Sequence, residues 1–369
     1  MEKNLSGMLV ETVVKKALKN IVDSPERGIR NLVDMALQFS KGRFQTNFFT
    51  VAQAMLQNEN SAYYRLVRDT VAYADMDRLY TFGMNLGYNG CTVGARNICR
   101  NEERLNCNIP WTISVQIDTH KFKEKREKYD TLIREGENLG IYTWMLFDMD
   151  DPQKLLAFAG AHPDSAFCIF CKAENLSAAF LDEASDFCNV MLVVRYEENI
   201  ADLCAAMREM GLLYSVWYQY GQEDAEVVIN DNLFSSSQQL CPVFTVLIPE
   251  AGCPEEIRRL VYQAAKEARS SQIYRTVIWD FQGDNRLIDS IISGDSCSVY
   301  FDRDGNLYDW DKKFESKPHN LFQNSLSDIL ASTYSKNAGM PASAKQKCAS
   351  HPFAEGCSRI SAFPIRERT

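Results

Sequence analysis

The sequence predicts an α/β protein built on a parallel (β/α) barrel, with a helical segment before the barrel and a small extension after it. Apolar runs recur about every 25–30 residues between Leu79 and Asp280, with helical patterns between them. Such alternation indicates a parallel sheet with right-handed crossovers. Roughly six to eight units are typical of a partial or full TIM-like barrel. A doubly wound open sheet is the alternative, and the lack of a Gly-x-Gly-x-x-Gly after the first predicted strand weakens it.

Eight strands are predicted from these apolar runs. They span Leu79–Leu86, Trp111–Asp118, Ile141–Asp148, Ala166–Ala173, Val190–Tyr196, Leu213–Tyr220, Val243–Pro249 and Tyr274–Asp280. The first run is followed by the turn residues Asn89 and Gly90. We therefore expect Cys91 to open a loop between the first strand and a helix.

The predicted barrel spans residues 77–285, and residues 1–76 are expected to form a helical cap on it. Apolar residues recur at helical spacing through this cap. Ser24, Pro25 and Glu26 are typical of a helix start, because they supply an N-cap, a proline in the first turn and an early acidic residue.

Two further segments follow the predicted barrel. An extension over residues 286–334 contains a predicted hairpin, Cys297–Trp310, that turns at Asp304–Gly305. A helix is predicted over Asn320–Ala331. Residues 335–369 are rich in Ser, Ala, Gly and Lys, and we expect them to be a mobile tail.

The composition argues against several classes of function. The net charge is −9, so there is no electrostatic footprint for nucleic acid or for an anionic membrane. No apolar run is long enough to span a membrane, and residues 1–20 lack the apolar core of a secretory signal. The 12 cysteines are irregularly spaced, as in a reduced protein. We expect a cytoplasmic protein that binds a small molecule or a protein or peptide partner.

From Leu79 onward the chain resembles the radical S-adenosylmethionine superfamily. Residues Val193 to Gly211 are similar to that family's fifth strand and helix, and the hairpin Cys297–Trp310 with its following helix resembles the SPASM-type extension. The resemblance implies a barrel whose first loop supplies three cysteines, spaced C-x3-C-x2-C, to a four-iron four-sulfur cluster. It also implies an auxiliary cluster held by two cysteines of the extension.

The chain departs from that family at the cluster positions. Counting from Cys91, the family spacing requires cysteines where this chain has Ala95 and Ile98. The second predicted strand ends in Gln-Ile-Asp-Thr-His120 instead of Gly-Gly-Glu, and Trp310 stands where the extension needs its second cysteine. An iron–sulfur cube needs several converging thiolates. The motif is thus degenerate, and the sequence argues against both an iron–sulfur cluster and S-adenosylmethionine while leaving the cofactor open.

The candidate metal ligands are cysteines. Cys91 lies in the predicted first loop, and Cys297, Cys348 and Cys357 could converge with His351 if the tail returns to the hairpin. Three cysteines and a histidine suit zinc or an iron–sulfur cluster. The C-x8-C spacing in the tail matches no strong zinc motif, so thiols without a metal are the alternative.

The strand ends supply the remaining candidates, because the carboxyl ends of parallel barrel strands meet at one mouth. The candidate acid–base residues are Asp118, His120, Asp148 and Glu174. The candidate ligand-binding residues are Tyr88, Arg195 and Gln219. We expect Arg195 to pair with an acid and lower the pKa of that acid. The alternative is that the acids cap the following helices and that the histidine only starts a helix.

These observations are compatible with three alternative functions. The first is a radical-SAM-like barrel that has lost its cluster and is a non-catalytic binding or partner protein, or one of altered chemistry. The second is an enzyme of the hydrolase or lyase type that uses carboxylates at the barrel mouth. The third is an iron–sulfur protein with an unusual ligand set. The missing cysteines favour the first function over the third, and the sequence does not separate the first from the second.

Overall fold

The structure is a computed structural model that describes residues 5–39, 43–295, 297–308 and 319–336. Its centre is a nine-stranded sheet. The strands are β1 (Thr112–Gln116), β2 (Thr143–Phe147), β3 (Ala166–Cys171), β4 (Val190–Arg195), β5 (Tyr214–Tyr220), β6 (Phe244–Pro249), β7 (Val277–Asp280), β8 (Val299–Phe301) and β9 (Leu307–Tyr308). Seven of the eight predicted strands are thus confirmed, as β1 to β7.

Helices surround the sheet. They are α1 (Leu5–Asp23), α2 (Pro25–Phe39), α3 (Arg43–Met55), α4 (Ala62–Tyr73), α5 (Met76–Gly83), α6 (Ala95–Leu105), α7 (Thr119–Leu139), α8 (Gln153–Gly160), α9 (Ala178–Ala184), α10 (Ala201–Glu209), α11 (Ala225–Ile229), α12 (Asn232–Ser237), α13 (Glu255–Ser271), α14 (Phe281–Ser293) and α15 (Leu326–Thr333). A π-helix, Met84–Gly94, joins α5 to α6. No helix of the described residues is long and apolar enough to cross a membrane.

The strand order is that of a parallel barrel opened along one seam. The order is β7-β6-β5-β4-β3-β2-β1-β8-β9. Strands β1 to β8 are parallel to their neighbours, and β9 is antiparallel to β8. The two edge strands are β7 and β9, and closure of such a barrel requires the two edges of the sheet to pair. In the described residues β7 pairs with β6 alone, so the predicted partial barrel is confirmed and its seam lies between β7 and the β8–β9 hairpin.

Helix α14 connects the two sides of this seam and packs on the concave side of the sheet. Trp144 of β2 lies against Gly136 of α7, so the next residues, Met145 and Phe147, point to the opposite, concave face. The ring of Phe281 in α14 lies 5.7 Å from that of Phe147 and 6.0 Å from that of Phe170. The first residue of α14 therefore reaches across the barrel from β7 to β2 and β3.

The strand predicted over Leu79–Leu86 is wrong, because this segment is helical. The side chain of Asp75 accepts a hydrogen bond from Arg78 N and starts α5. Further on, the Asn85 side chain donates to carbonyl groups in the loop before β3, and Asn89 donates to the same loop. An apolar run of this length does not distinguish a buried strand from a buried helix. The first strand is therefore β1, and Cys91 lies in a π-helix.

The predicted hairpin is confirmed within residues 297–308, where β8 and β9 flank a turn with Gly305 at φ +80°. Because β8 pairs in parallel with β1, the hairpin continues the barrel sheet. Trp310 lies outside the described residues. The helix predicted from Asn320 begins at Leu326, with its apolar face buried as expected. The division of the chain into four segments stays a prediction.

The contact of Phe281 with the sheet gives the first prediction. Phe281→Ala is expected to lower the free energy of unfolding by about 3–5 kcal/mol, because it leaves a cavity where two strands meet α14. Phe48→Ala is the control, since Phe48 is 55% exposed, and its effect should stay within about 0.5 kcal/mol. Urea unfolding of both variants measures this, and equal losses would show that α14 does not depend on the contact.

Candidate functional site

Asp118 lies at the mouth of the barrel, two residues after β1, and caps α7. Its carboxylate accepts hydrogen bonds from His120 N at 3.0 Å and Lys121 N at 3.4 Å, and it lies 3.3 Å from Lys121 Nζ. Burial raises the pKa of Asp118, but the hydrogen bonds from the Lys121 side chain and from the two backbone N–H groups outweigh burial and lower it. Asp118 is therefore an ionised carboxylate whose lone pairs are largely engaged.

Asp148 lies beside it, one residue after β2, and is 1% exposed. Its Oδ2 accepts a hydrogen bond from Thr119 Oγ1 at 2.6 Å, and its Oδ1 accepts from the backbone N–H groups of Asp150 and Asp151 at 3.0 Å each. Because Thr119 follows Asp118, the structure brings these two predicted acids to neighbouring positions at one mouth. Both hold backbone in place.

The other two candidate acid–base residues face solvent. His120 is exposed in the first turn of α7. Glu174 follows β3 with 71% of its side chain exposed, and it pairs with Lys172 at 3.3 Å. Neither approaches Asp148 closely enough for a hydrogen bond in the described residues. The structure therefore separates the four predicted acid–base residues into a buried pair and two exposed side chains.

Arg195 and Gln219 lie on the concave face of β4 and β5. The Arg195 guanidinium lies over the ring of Trp217, 5.6 Å from the centroid. Trp217 is itself held by a hydrogen bond from its Nε1 to the carbonyl oxygen of Cys171 at 3.2 Å. The expected pairing of Arg195 with an acid is wrong, since no carboxylate of the described residues lies within ion-pair distance. Both Arg195 and Gln219 are half-buried.

Tyr88 does not lie at the mouth, contrary to prediction, and Cys91 does not lie in a loop after the first strand. The π-helix that carries them packs against Thr143, the first residue of β2, and against the loop before β3. These are the amino ends of the strands, opposite the mouth. The cause is the helical conformation of the segment predicted as the first strand. Burial raises the pKa of Cys91 to about 12, which disfavours the thiolate that metals bind.

Cys297 also lies at an amino end, two residues before β8. It is buried, and its Sγ lies 3.8 Å from the carbonyl oxygen of Asn108. Burial, with the nearby charge of Asp289, raises its pKa well above the ordinary value. Cys348, His351 and Cys357 lie outside the described residues. Within the described ranges, no group of three or more His, Cys, Asp or Glu side chains is placed to hold a metal.

The cluster implied by the family resemblance does not fit the loop after the first strand. In this structure that loop runs from Ile117 into the helix capped by Asp118, and it contains no cysteine. The sequence has none between Cys107 and Cys168. Three converging thiolates are therefore not available at this position, and no chemical step through such a cluster follows from these residues.

Sequence reasoning missed a buried network where β7 passes into α14. Asp284 forms two hydrogen bonds with Arg269, at 2.6 and 2.8 Å, and both side chains are about 4% exposed. Asp280 accepts a hydrogen bond from Gly283 N at 2.6 Å. Burial, followed by the charge of Asp284, raises the pKa of Asp280 to about 7. The Asp-x3-Asp spacing was visible in the sequence, but its partner on α13 was not.

Comparison with known protein families gives no match, and comparison with curated proteins gives none either. Solved structures with a similar fold include SuiB of Streptococcus suis. Its S-adenosylmethionine complex has a TM-score of 0.48 at 9% identity, over 65% of this chain and 68% of that chain. The structure of SuiB alone has a TM-score of 0.47 at 9% identity, over 65% of this chain and 70% of that chain. The structure of SuiB bound to precursor peptide SuiA has a TM-score of 0.46 at 10% identity, over 66% of this chain and 70% of that chain. Likeness at this level carries no functional argument.

Fold and site together define an α/β protein with an open parallel barrel. At its mouth, Asp118 and Asp148 engage backbone and side-chain donors, whereas the Arg195 guanidinium stacks on an indole. The mouth thus combines two hydrogen-bonded carboxylates, which follow β1 and β2, with one stacked guanidinium at the end of β4.

Asp280 gives the second prediction. Its pKa in the folded state lies above its ordinary value of 3.8, so its contribution to stability is fully present below about pH 4 and is lost as the pH rises through 7. Asp280→Asn keeps an oxygen for Gly283 N but does not titrate. Between pH 5.5 and 8, wild type should lose about 2 kcal/mol relative to this variant.

Urea unfolding at the two pH values measures this difference. Asp118→Asn is the matched control, because the pKa of Asp118 is lowered. The contribution of Asp118 is lost as the pH falls below its ordinary range, so this variant should show no change relative to wild type between pH 5.5 and 8. A constant difference between wild type and Asp280→Asn would mean that Asp280 stays ionised throughout.

Proposed function

We propose that this protein is a radical-SAM-like barrel without radical chemistry and that it binds a ligand at the barrel mouth. The observation that carries the proposal is that the acids of the mouth already have hydrogen-bond donors as partners, whereas its guanidinium has no carboxylate partner among the described residues. Asp118 and Asp148 act as caps, whereas Arg195 and Gln219 extend from adjacent strands on the concave face. A rigid guanidinium without a carboxylate partner suits an anionic group. The ligand is an anionic small molecule or an acidic peptide.

The stacking of Arg195 on Trp217 supports binding in a second way. Holding a long side chain over an aromatic ring limits its rotamers before any ligand arrives, so less conformational entropy is lost on binding. The hydrogen bond from Trp217 to β3 fixes the ring in turn. Gln219 lies two residues further along the same face of β5 and adds an amide that can donate or accept.

The alternative function is acid–base catalysis by the mouth carboxylates. One observation favours it, namely the neighbouring placement of Asp118 and Asp148 through Thr119. Against it, general acid–base catalysis needs a group whose proton can move at the operating pH. Although burial raises the pKa of Asp118, the hydrogen bonds that it accepts outweigh burial and lower that pKa, which holds this carboxylate in its ionised form.

The absence of radical chemistry is tested under anaerobic conditions. Protein reconstituted with iron and sulfide, then reduced, is expected to release no deoxyadenosine from S-adenosylmethionine above background, because the loop after β1 has no cysteine to ligate iron. A competent radical enzyme prepared in parallel is the positive control. Stoichiometric iron together with release of deoxyadenosine would overturn the proposal.

Ligand binding is tested with two anionic probes, pyrophosphate and hexaglutamate, followed by tryptophan fluorescence. Wild type should show a saturable change, because Trp217 contacts the guanidinium that meets the probe. Arg195→Gln should weaken binding at least about tenfold, the loss expected for a charged hydrogen-bonding partner. Arg303→Gln is the matched control, since Arg303 is another cation at this end of the sheet and already pairs with Asp150 at 3.2 Å. Saturable binding that survives Arg195→Gln would place the ligand elsewhere.

A further inference from the structure

A small chamber with both polar and apolar walls lies inside the barrel, between α14 and the strands β1 and β8. Its volume is about 20 Å³, which is enough for one water molecule or one small ion. Oxygen-bearing side chains supply most of its polar lining. The lining includes Thr112, Ser114, Asn285, Asp289, Ser298 and Tyr300. These residues come from both sides of the seam, so whatever occupies the chamber touches both the helix and the sheet.

Asp289 is the acidic residue of the chamber and is 2% exposed. Its Oδ1 accepts a hydrogen bond from Trp111 N at 2.8 Å, and the backbone N–H of Cys297 donates to the same carboxylate. No Lys or Arg nitrogen of the described residues lies within ion-pair distance of it. The charge of Arg286 acts on Asp289 from beyond contact distance and does not offset its burial. A buried carboxylate without a positive partner in contact is costly, so a cation in the adjacent chamber would be favoured.

Asn285 supplies a second acceptor, one helical turn before Asp289 on the same face of α14. It is 7% exposed, and its Oδ1 has no hydrogen-bond partner among the described residues. The Asn285 Nδ2 group donates towards Met145 Sδ at 3.8 Å. The Oδ1 atom of the same amide therefore points away from the sulfur. Buried amide oxygens are rarely left without a partner.

We propose that this chamber binds one monovalent cation, Na⁺ or K⁺, through the Asp289 carboxylate, Asn285 Oδ1 and the Ser114 hydroxyl. One carboxylate with neutral oxygens matches a single positive charge, and hard oxygen ligands suit these ions. The site is independent of the proposed ligand at the mouth. Because Ser114 belongs to β1 and the other two ligands belong to α14, the cation ties the helix in the seam to the sheet.

The test compares urea unfolding in about 200 mM KCl, NaCl or choline chloride, which have equal ionic strength. The unfolding equilibrium constant should be at least about tenfold smaller in KCl or NaCl than in choline chloride, as expected when the ion concentration exceeds its dissociation constant by about ten. Equal values in all three salts would overturn the proposal and indicate a water molecule or a protonated Asp289 in the chamber.

Variants locate the effect. Asn285→Leu and Ser114→Ala should each reduce the difference between KCl or NaCl and choline chloride to less than about threefold, because each removes one oxygen ligand. Asp289→Asn should abolish it, and the first two variants keep the test decisive if this one fails to fold. Asp150→Asn is the control, since Asp150 is a half-exposed acid paired with Arg303, and it should keep the full difference. An ion effect that persists in Asn285→Leu would place the cation elsewhere and overturn the assignment.

Discussion

The direct passage of β7 into α14 is the constraint on which the shape of this barrel depends. Asp280 is both the last residue of the strand and the cap of the helix, so no connecting loop lets α14 swing to the convex side. The buried pair of Arg269 and Asp284 then anchors the first turn of α14 to α13. The helix consequently lies between β7 and the β8–β9 hairpin, where the two edges of a closed barrel would pair. The open seam and the position of α14 therefore have the same cause, which is the direct connection between β7 and α14.

This arrangement also places the acids of α14 in very different surroundings. Asp284 has a bidentate guanidinium partner, Asp280 has backbone donors and a neighbouring charge, and Asp289 has two backbone donors and lies on the opposite side of the barrel. Because burial penalises each charge, these carboxylates cost stability unless a proton or a cation compensates them. Helix α14 thus carries buried carboxylates beside its apolar contact of Phe281 with Phe147.

Much of the fold was predictable because strands of a parallel sheet are buried on both faces and appear as short apolar runs bounded by turn residues. The segment Leu79–Leu86 has the same appearance, yet its conformation is decided by the Asp75 cap and by the contacts of Asn85 with the distant loop before β3. The cap was readable in the sequence, whereas the long-range contact was not. This one error moved Tyr88 and Cys91 from the mouth to the opposite end of the barrel.

The sequence predicted that the candidate site lies at the carboxyl ends of the strands, but not which contacts each side chain makes there. Position after a strand places Asp118 and Asp148 together, since parallel strands share that end. Their engagement as caps depends on Thr119 and on the turn after β2. The stacking of Arg195 on Trp217 depends on the register of β4 against β5, in which the two residues are direct partners. These contacts support the proposed recognition of an anion over proton transfer, because the acids of the mouth accept hydrogen bonds from the backbone while its stacked cation has no carboxylate partner among the described residues.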